Sequence, residues 1–438
     1  MSGFIQQAAK PFGSPLDWLA GFNREGLFSW QSHALPDRKI ENWKYTNLRA
    51  LEQGDYLRFG QPLDIDGSQI DSLSIPDLHA YELVFINGYY SEALSSDISL
   101  LPKGVELVRF STASKDQQLA IQRSLDSLTD TQKHMFAALN AAQLGDGVFL
   151  HVSKNVHFEK PVHIVYSNTQ QSEGYSLNPR VLVQLESGSE ATVIEHFARG
   201  DNEQNTFANS VTELLVGENA RLNHYRLLLE HESAIHIGSV NVGLQRNATL
   251  NSFTLGVGGK IKRTDMIVHH QGEGAHCEIN GVYLTRNSQH IDYHTCIEHA
   301  VPHCTSNEVF RGIIADSSRA VFNGRIHIHP HAQKTFAQLS NKNLLTSNKA
   351  EVDTKPELEI YADDVQCAHG ATVAQLNDEA MHYLRTRGVS EAEARVMLSF
   401  GFINELINDI KLKPVAAYLR PLLAEMFSSE EKLTRHIV

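Results

Sequence analysis

Cys367 and His369 stand two residues apart in the run from Tyr361 to Thr372, YADDVQCAHGAT. Side chains of an extended chain alternate in direction, so both leave one face and offer a thiolate and an imidazole to iron or zinc. The competing reading is an Asp turn followed by a buried thiol and a hydrogen-bonded histidine, and a lone C-x-H spacing does not choose between them. Asp363 and Asp364 either hold the approach turn or orient a ligand from behind.

A second concentration of donors spans residues 269–331: His269, His270, His276, Cys277, His290, His294, Cys296, His299, His303, Cys304, His327, His329 and His331. No compact C-x-x-C or H-E-x-x-H unit appears among them, and in stacked strands histidines also serve as polar ladders. His327 and His329, in Ile-His-Ile-His-Pro, are the pair that would open the metal site of a double-stranded β-barrel (cupin-like) enzyme; such a site also needs a carboxylate and a further histidine nearby. The P-loop signature G-x-x-x-x-G-K-[ST] and the G-x-S-x-G elbow are both missing, and the glycines at 256–259 lack the Rossmann spacing.

Three kinds of element would carry these residues. Up to about residue 142 the chain mixes helical and irregular signals: Trp18, Trp30 and Trp43 predict a compact aromatic cap, and residues 111–140, free of Gly and Pro, predict a helix-rich run. From Gly145 to about residue 373, short apolar runs alternate with Asn, Gly and Ser turns. A loose repeat marks them, a polar turn followed by Ala220, Ala248, Ala275 or Ala320, with gaps of 28, 27 and 45 residues. Those gaps are multiples of roughly 14 or 15, which predicts stacked turn–strand units in a coiled β-solenoid; a β-sandwich or barrel is the alternative. The remainder reads as helices. Asn377 caps a helix ending near Gly388, and Ser390 with Glu393 opens the next. A third helix over about 415–427 contains Pro421. Met397, Phe400, Ile403, Ile407 and Ile410 line one stripe of the second helix, with Phe402 and Leu406 beside it. Such breadth either receives a partner protein or is consumed against the other helices and the solenoid.

Composition bounds the function classes. The chain has 438 residues, 42% hydrophobic and 20% charged, typical of a folded globular protein. A net charge of −13 argues against a nucleic-acid surface. Four cysteines are too few for a disulfide scaffold and point to a reducing compartment. With no basic-then-apolar leader and no membrane-length apolar run, a cytoplasmic location is expected.

Several segments together resemble the SufB/SufD family of scaffold subunits of the SUF iron–sulfur cluster assembly system, on its SufD branch. They are Glu41–Thr46 (ENWKYT), Phe136–Asn140 (FAALN) with Asp146-Gly147, Tyr361–Thr372, Tyr383–Val389 (YLRTRGV) and Gly401–Glu405 (GFINE). Met381-His382 departs from the aromatic residues usual there, and the essential cysteine pattern of the SufB branch is absent. The resemblance implies a right-handed parallel β-helix over 143–373, a helix-rich cap over 1–142 and a helical ATPase-docking unit over 374–438. It implies no enzyme activity of the chain's own and a complex with a SufB-like subunit and a SufC-like ATPase, the latter on the Met397–Ile410 stripe. It also implies that His369 meets a nascent cluster or iron at the SufB junction, with Cys367 in support. The cluster would be transient, a flavin in the complex is left open with no residue marking it, and the isolated chain is free to self-pair at the same edge.

Overall fold

A computed structural model of the chain describes residues 3–11, 13–63, 73–199 and 203–427. From Glu190 to Gln375 successive strands fall alternately in two sheets, and each pairs in parallel with the strand two places on. Among the described residues two ten-stranded sheets thus face one another in a β-solenoid of about 8 turns. Along one sheet the equivalent positions run Arg221, Thr249, His276, Thr305, Phe336 and Gln366. Just ahead of these strands lies a stacked column of left-handed residues, Gly188, Asn219, Asn247, Gly274, His303 and Lys334, each with positive φ. Gly and Asn accept that conformation at low cost, which is why the turns are legible; His303 and Lys334 do not advertise it. The alanine repeat is partly corrected. Ala220, Ala248 and Ala275 precede equivalent strands, but the next residue of that column is Cys304, and Ala320 sits in the opposite sheet beside Ile291 and Val352.

The first segment contributes more than helices. Tyr81–Ile86 pairs in parallel with Val162–Ser167, and Val105–Arg109 pairs antiparallel with Val148–Val152, so both sheets begin inside it. The helix Met135–Gln143 is buried throughout, and Asn140 donates to the Pro179 and Asn209 carbonyls at 3.0 and 2.7 Å. The Glu41–Thr46 motif clamps the outer face of one sheet. Trp43 lies under the Arg263 guanidinium, 4.0 Å from the ring centroid; the Thr46 hydroxyl donates to Asp292; and Glu41 pairs with Lys355 at 2.5 Å.

Of the C-terminal helices, Glu391–Asn408 and Lys413–Phe427 cover the outer face of the other sheet. Asp378–Thr386 starts at the Asn377 cap, which accepts from the Ala380 amide at 2.9 Å, and Gly388 (φ 84°) follows its end. Glu391–Asn408 starts at Ser390, and Lys413–Phe427 contains Pro421. No helix among the described residues is long and apolar enough to cross a membrane.

Candidate functional site

Among the described residues the solenoid ends on two strands, Glu351–Ile360 and Gln366–Gln375, each hydrogen-bonded to one neighbour only. Their two outer edges differ. Glu351–Ile360 carries Pro356 and five charged side chains, the usual protection of a sheet edge. Gln366–Gln375 (QCAHGATVAQ) carries no charge and no proline over its 10 residues. Its backbone donors and acceptors on the free side form an unprotected template for another strand.

Register explains the environment of the two candidate ligands. His369 stands in the inward column of Val193, His224, Ser252, Ile279, Glu308 and Leu339, and Cys367 in that of Leu250, Cys277, Ser306 and Ala337. In every earlier coil these positions are covered by the coil that follows. Here no further coil follows, so His369 is exposed while Cys367 packs partly against the core's last layer. Burial pushes the Cys367 thiol above its ordinary range, favouring the protonated form. Ile360, Tyr361 and Val373 are also exposed on these strands and the turn joining them. Asp363 and Asp364 hold the approach turn. Gln333 donates to the Asp363 carboxylate at 2.8 Å and accepts from the Asp364 amide at 2.9 Å, and Lys334 pairs with Asp364.

The donors of 269–331 mostly serve the fold. His270 and His299 stack inside it, ring centroids 4.3 Å apart, and Cys277 and Cys304 lie in the core. His290 and His294 flank Asp292 beneath the N-terminal clamp. His327 and His329 do come together, and Glu298 joins them, a residue the sequence reading left out. The His327 Nδ1 and His329 Nε2 atoms lie 2.7 and 2.8 Å from the same carboxylate oxygen. They sit on the outside of a solenoid, not within a double-stranded barrel, so the cupin-like reading fails with its fold. The missed signal is register, since Glu298 is the cross-strand neighbour of His327.

The helical stripe also needs correcting as a partner surface. Phe400, Ile403, Leu406, Ile407 and Ile410 are buried within the chain, against Tyr225, Leu227, Phe253, Leu255, Val282 and Leu284 on the sheet's outer face. Only Met397 and Phe402 keep partial exposure. Those outward sheet positions are themselves apolar, so the helix finds its cover inside the molecule.

The chain matches two family models, one described as SUF system FeS cluster assembly, SufBD core domain, over residues 167–402, the other as SufBD protein N-terminal region, over 16–164. It is 34% identical over 381 residues to the iron–sulfur cluster assembly protein SufD of Escherichia coli K12, covering 86% of each chain. It is 29% identical to the SufBD family protein slr0076 of Synechocystis (88% of this chain, 86% of the relative). To the SufD of Bacillus subtilis it is 26% identical over 92% of both chains.

Proposed function

The chain belongs to the SufBD family of SUF-system iron–sulfur cluster assembly proteins, and on that premise we propose that it is a non-catalytic scaffold subunit working in the cytoplasm. Its open last coil pairs with the solenoid of a SufB-type subunit, and His369 meets a nascent cluster or iron at that junction. One observation carries this reading: an uncharged, proline-free edge strand whose inward-facing imidazole is left exposed because the stack stops there. A second solenoid laid against that edge satisfies its backbone groups and covers His369, Val373 and Ile360 together. The cluster is cargo, held transiently. An imidazole ligand releases it more readily than full thiolate ligation, and Cys367, thiol-form and half-covered, plays the lesser part.

A SufC-type ATPase docks, in this reading, on what the helices leave outside: the Asp378–Thr386 helix, which buries no residue and exposes Tyr383, and the Met397–Phe402 flank. ATP-driven movement of that subunit then loads the helices, and through them the sheet whose last strand bears His369, so that the junction opens and closes.

The test is reconstitution with SufB-type and SufC-type subunits. Ala368→Lys with Thr372→Lys places charge on the outward face of the edge strand and should abolish co-purification of the SufB-type subunit. His369→Ala should leave the complex assembled and lower the iron and sulfide recovered on it. Undiminished pairing with the lysine variant, or full cluster yield with His369→Ala, refutes the corresponding half; a chain that only self-pairs through this edge refutes the first.

A further inference from the structure

We propose that Glu298, His327 and His329 form a binding site for one divalent first-row transition-metal ion on the outer face of the solenoid, one coil in from its open end. Glu298 projects from strand His290–His299, His327 from the neighbouring strand Arg319–Ile328, and His329 from the turn directly after it. Their donor atoms lie within 4.8 Å of one another. Two imidazole nitrogens converge on a single carboxylate oxygen at 2.7 and 2.8 Å, with ring centroids 4.2 Å apart. An ion seated among these atoms with bonds of about 2.0–2.1 Å needs each nitrogen and the oxygen to part by roughly half an ångström. Two histidines and one carboxylate with open positions suit Fe(II), Co(II) or Zn(II), whereas Mg(II) and Ca(II) prefer all-oxygen surroundings.

The surroundings favour occupancy. Glu298 and His327 are each 18% exposed and His329 39%, so the site opens on one side only. The nearby Arg325 forms its ion pair with Glu359, at 2.7 Å, and not with Glu298. The Cys296 thiol, 3.5 Å from the other Glu298 oxygen, steadies that oxygen from the far side. His269, next in register beyond Glu298, stands as a neighbouring nitrogen.

Position suggests the use. The Tyr361 ring sets its edge against His327, centroids 5.6 Å apart, and Tyr361 opens the turn leading into the strand with Cys367 and His369. An ion held here waits beside the open coil, one layer in, a reservoir of iron for the junction. That role rests on the scaffold reading above; the metal site does not.

The untagged full-length chain should be titrated anaerobically with Co(II), whose visible d–d bands report bound geometry, then challenged with Zn(II) and Fe(II). One equivalent should bind, and His327→Ala and His329→Ala should each weaken it by about tenfold or more, since even loss of an outer partner of a metal ligand costs that much. Glu298→Gln, isosteric and able to keep the fold, should weaken it similarly, and unchanged thermal midpoints of the metal-free variants exclude unfolding as the cause. His369→Ala should leave the titration unaltered. Absence of binding below millimolar Co(II), binding indifferent to the two histidine variants, or binding lost with His369→Ala overturns the site. If Co(II) binds as stated while His369→Ala assembles clusters normally in the complex, the cluster-ligand half of the scaffold reading fails and the metal site stands.

Discussion

Replacing Glu308 by glutamine should remove a large pH dependence from the stability of this chain. Glu308 points into the solenoid in the same column as His369, two strands further in. It is fully buried, and neither carboxylate oxygen has a hydrogen-bond partner among the described residues. Thr295 lies near enough to ease its charge slightly without forming a well-made hydrogen bond. Burial therefore pushes its pKa from 4.5 up to about 7. The folded chain keeps this proton where the unfolded chain has lost it, so the contribution is full below pH 4.5, declines as pH rises, and is gone above about 7. At 1.36 kcal/mol per pKa unit the loss is about 3 kcal/mol, of which roughly 2.5 kcal/mol falls between pH 5 and 8. Buried His196, His236, His270 and His299 act oppositely: burial depresses their pKa values, so their contribution is lost as pH falls below 6.5. Subtracting the profile of Glu308→Gln from that of the parent cancels the histidines and isolates the carboxyl. Urea denaturation followed by circular dichroism at pH 5, 6, 7 and 8 supplies both profiles. The variant should gain on the parent by about 2–3 kcal/mol across that range. Parallel profiles would show that Glu308 is hydrated or paired, and the sealed interior inferred here would be wrong.

Three further outcomes follow from the packing. Ile403→Ala, at a fully buried position facing the sheet, should cost about 2–5 kcal/mol and let limited proteolysis release the C-terminal helices first; unchanged protease resistance would contradict the packing described. Gly281→Ala should destabilise by about 1–3 kcal/mol, because its Cβ would stand 2.1 Å from the Phe310 ring; a neutral effect in thermal unfolding would mean that ring is free to move. Arg226→Met should be costlier, about 3–5 kcal/mol. It strands the buried Glu195 carboxylate, whose pKa burial would raise but which Arg226 and His224 hold at about 2. That pair contributes stability above pH 4.5 that is lost as pH falls towards 2, so Arg226→Met should shift acid unfolding to higher pH, and Glu195→Gln in the same chain should restore much of the loss.

Much of the architecture was readable from local pattern. Alternation of apolar and polar residues between Gly145 and Gln375 announced strands, and Asn and Gly at Asn219, Asn247 and Gly274 announced turns, because both signals depend on a few neighbouring residues. The helix starts at Asn377 and Ser390 were legible for the same reason. The strands Tyr81–Ile86 and Val105–Arg109 were not, since each is held in its sheet by a partner distant along the chain. The stripe from Met397 to Ile410 was recognised as apolar, yet its occupant depended on Leu227, Leu255, Val282 and Leu284, which alternation does mark as outward but cannot mark as covered.

The order of residues was sufficient for the repeating strand, the capped helices, the motifs of the SufBD family and the shared face of Cys367 and His369, because period and capping are short-range physics. Folding had to supply which residues of different coils become neighbours. That depends on loop lengths accumulated from coil to coil, so Glu298 meeting His327 and His329, and Glu308 sealed away without a partner, are facts of register. The exposure of His369 is likewise a property of where the stacking stops, since the same inward position is covered in every coil before it.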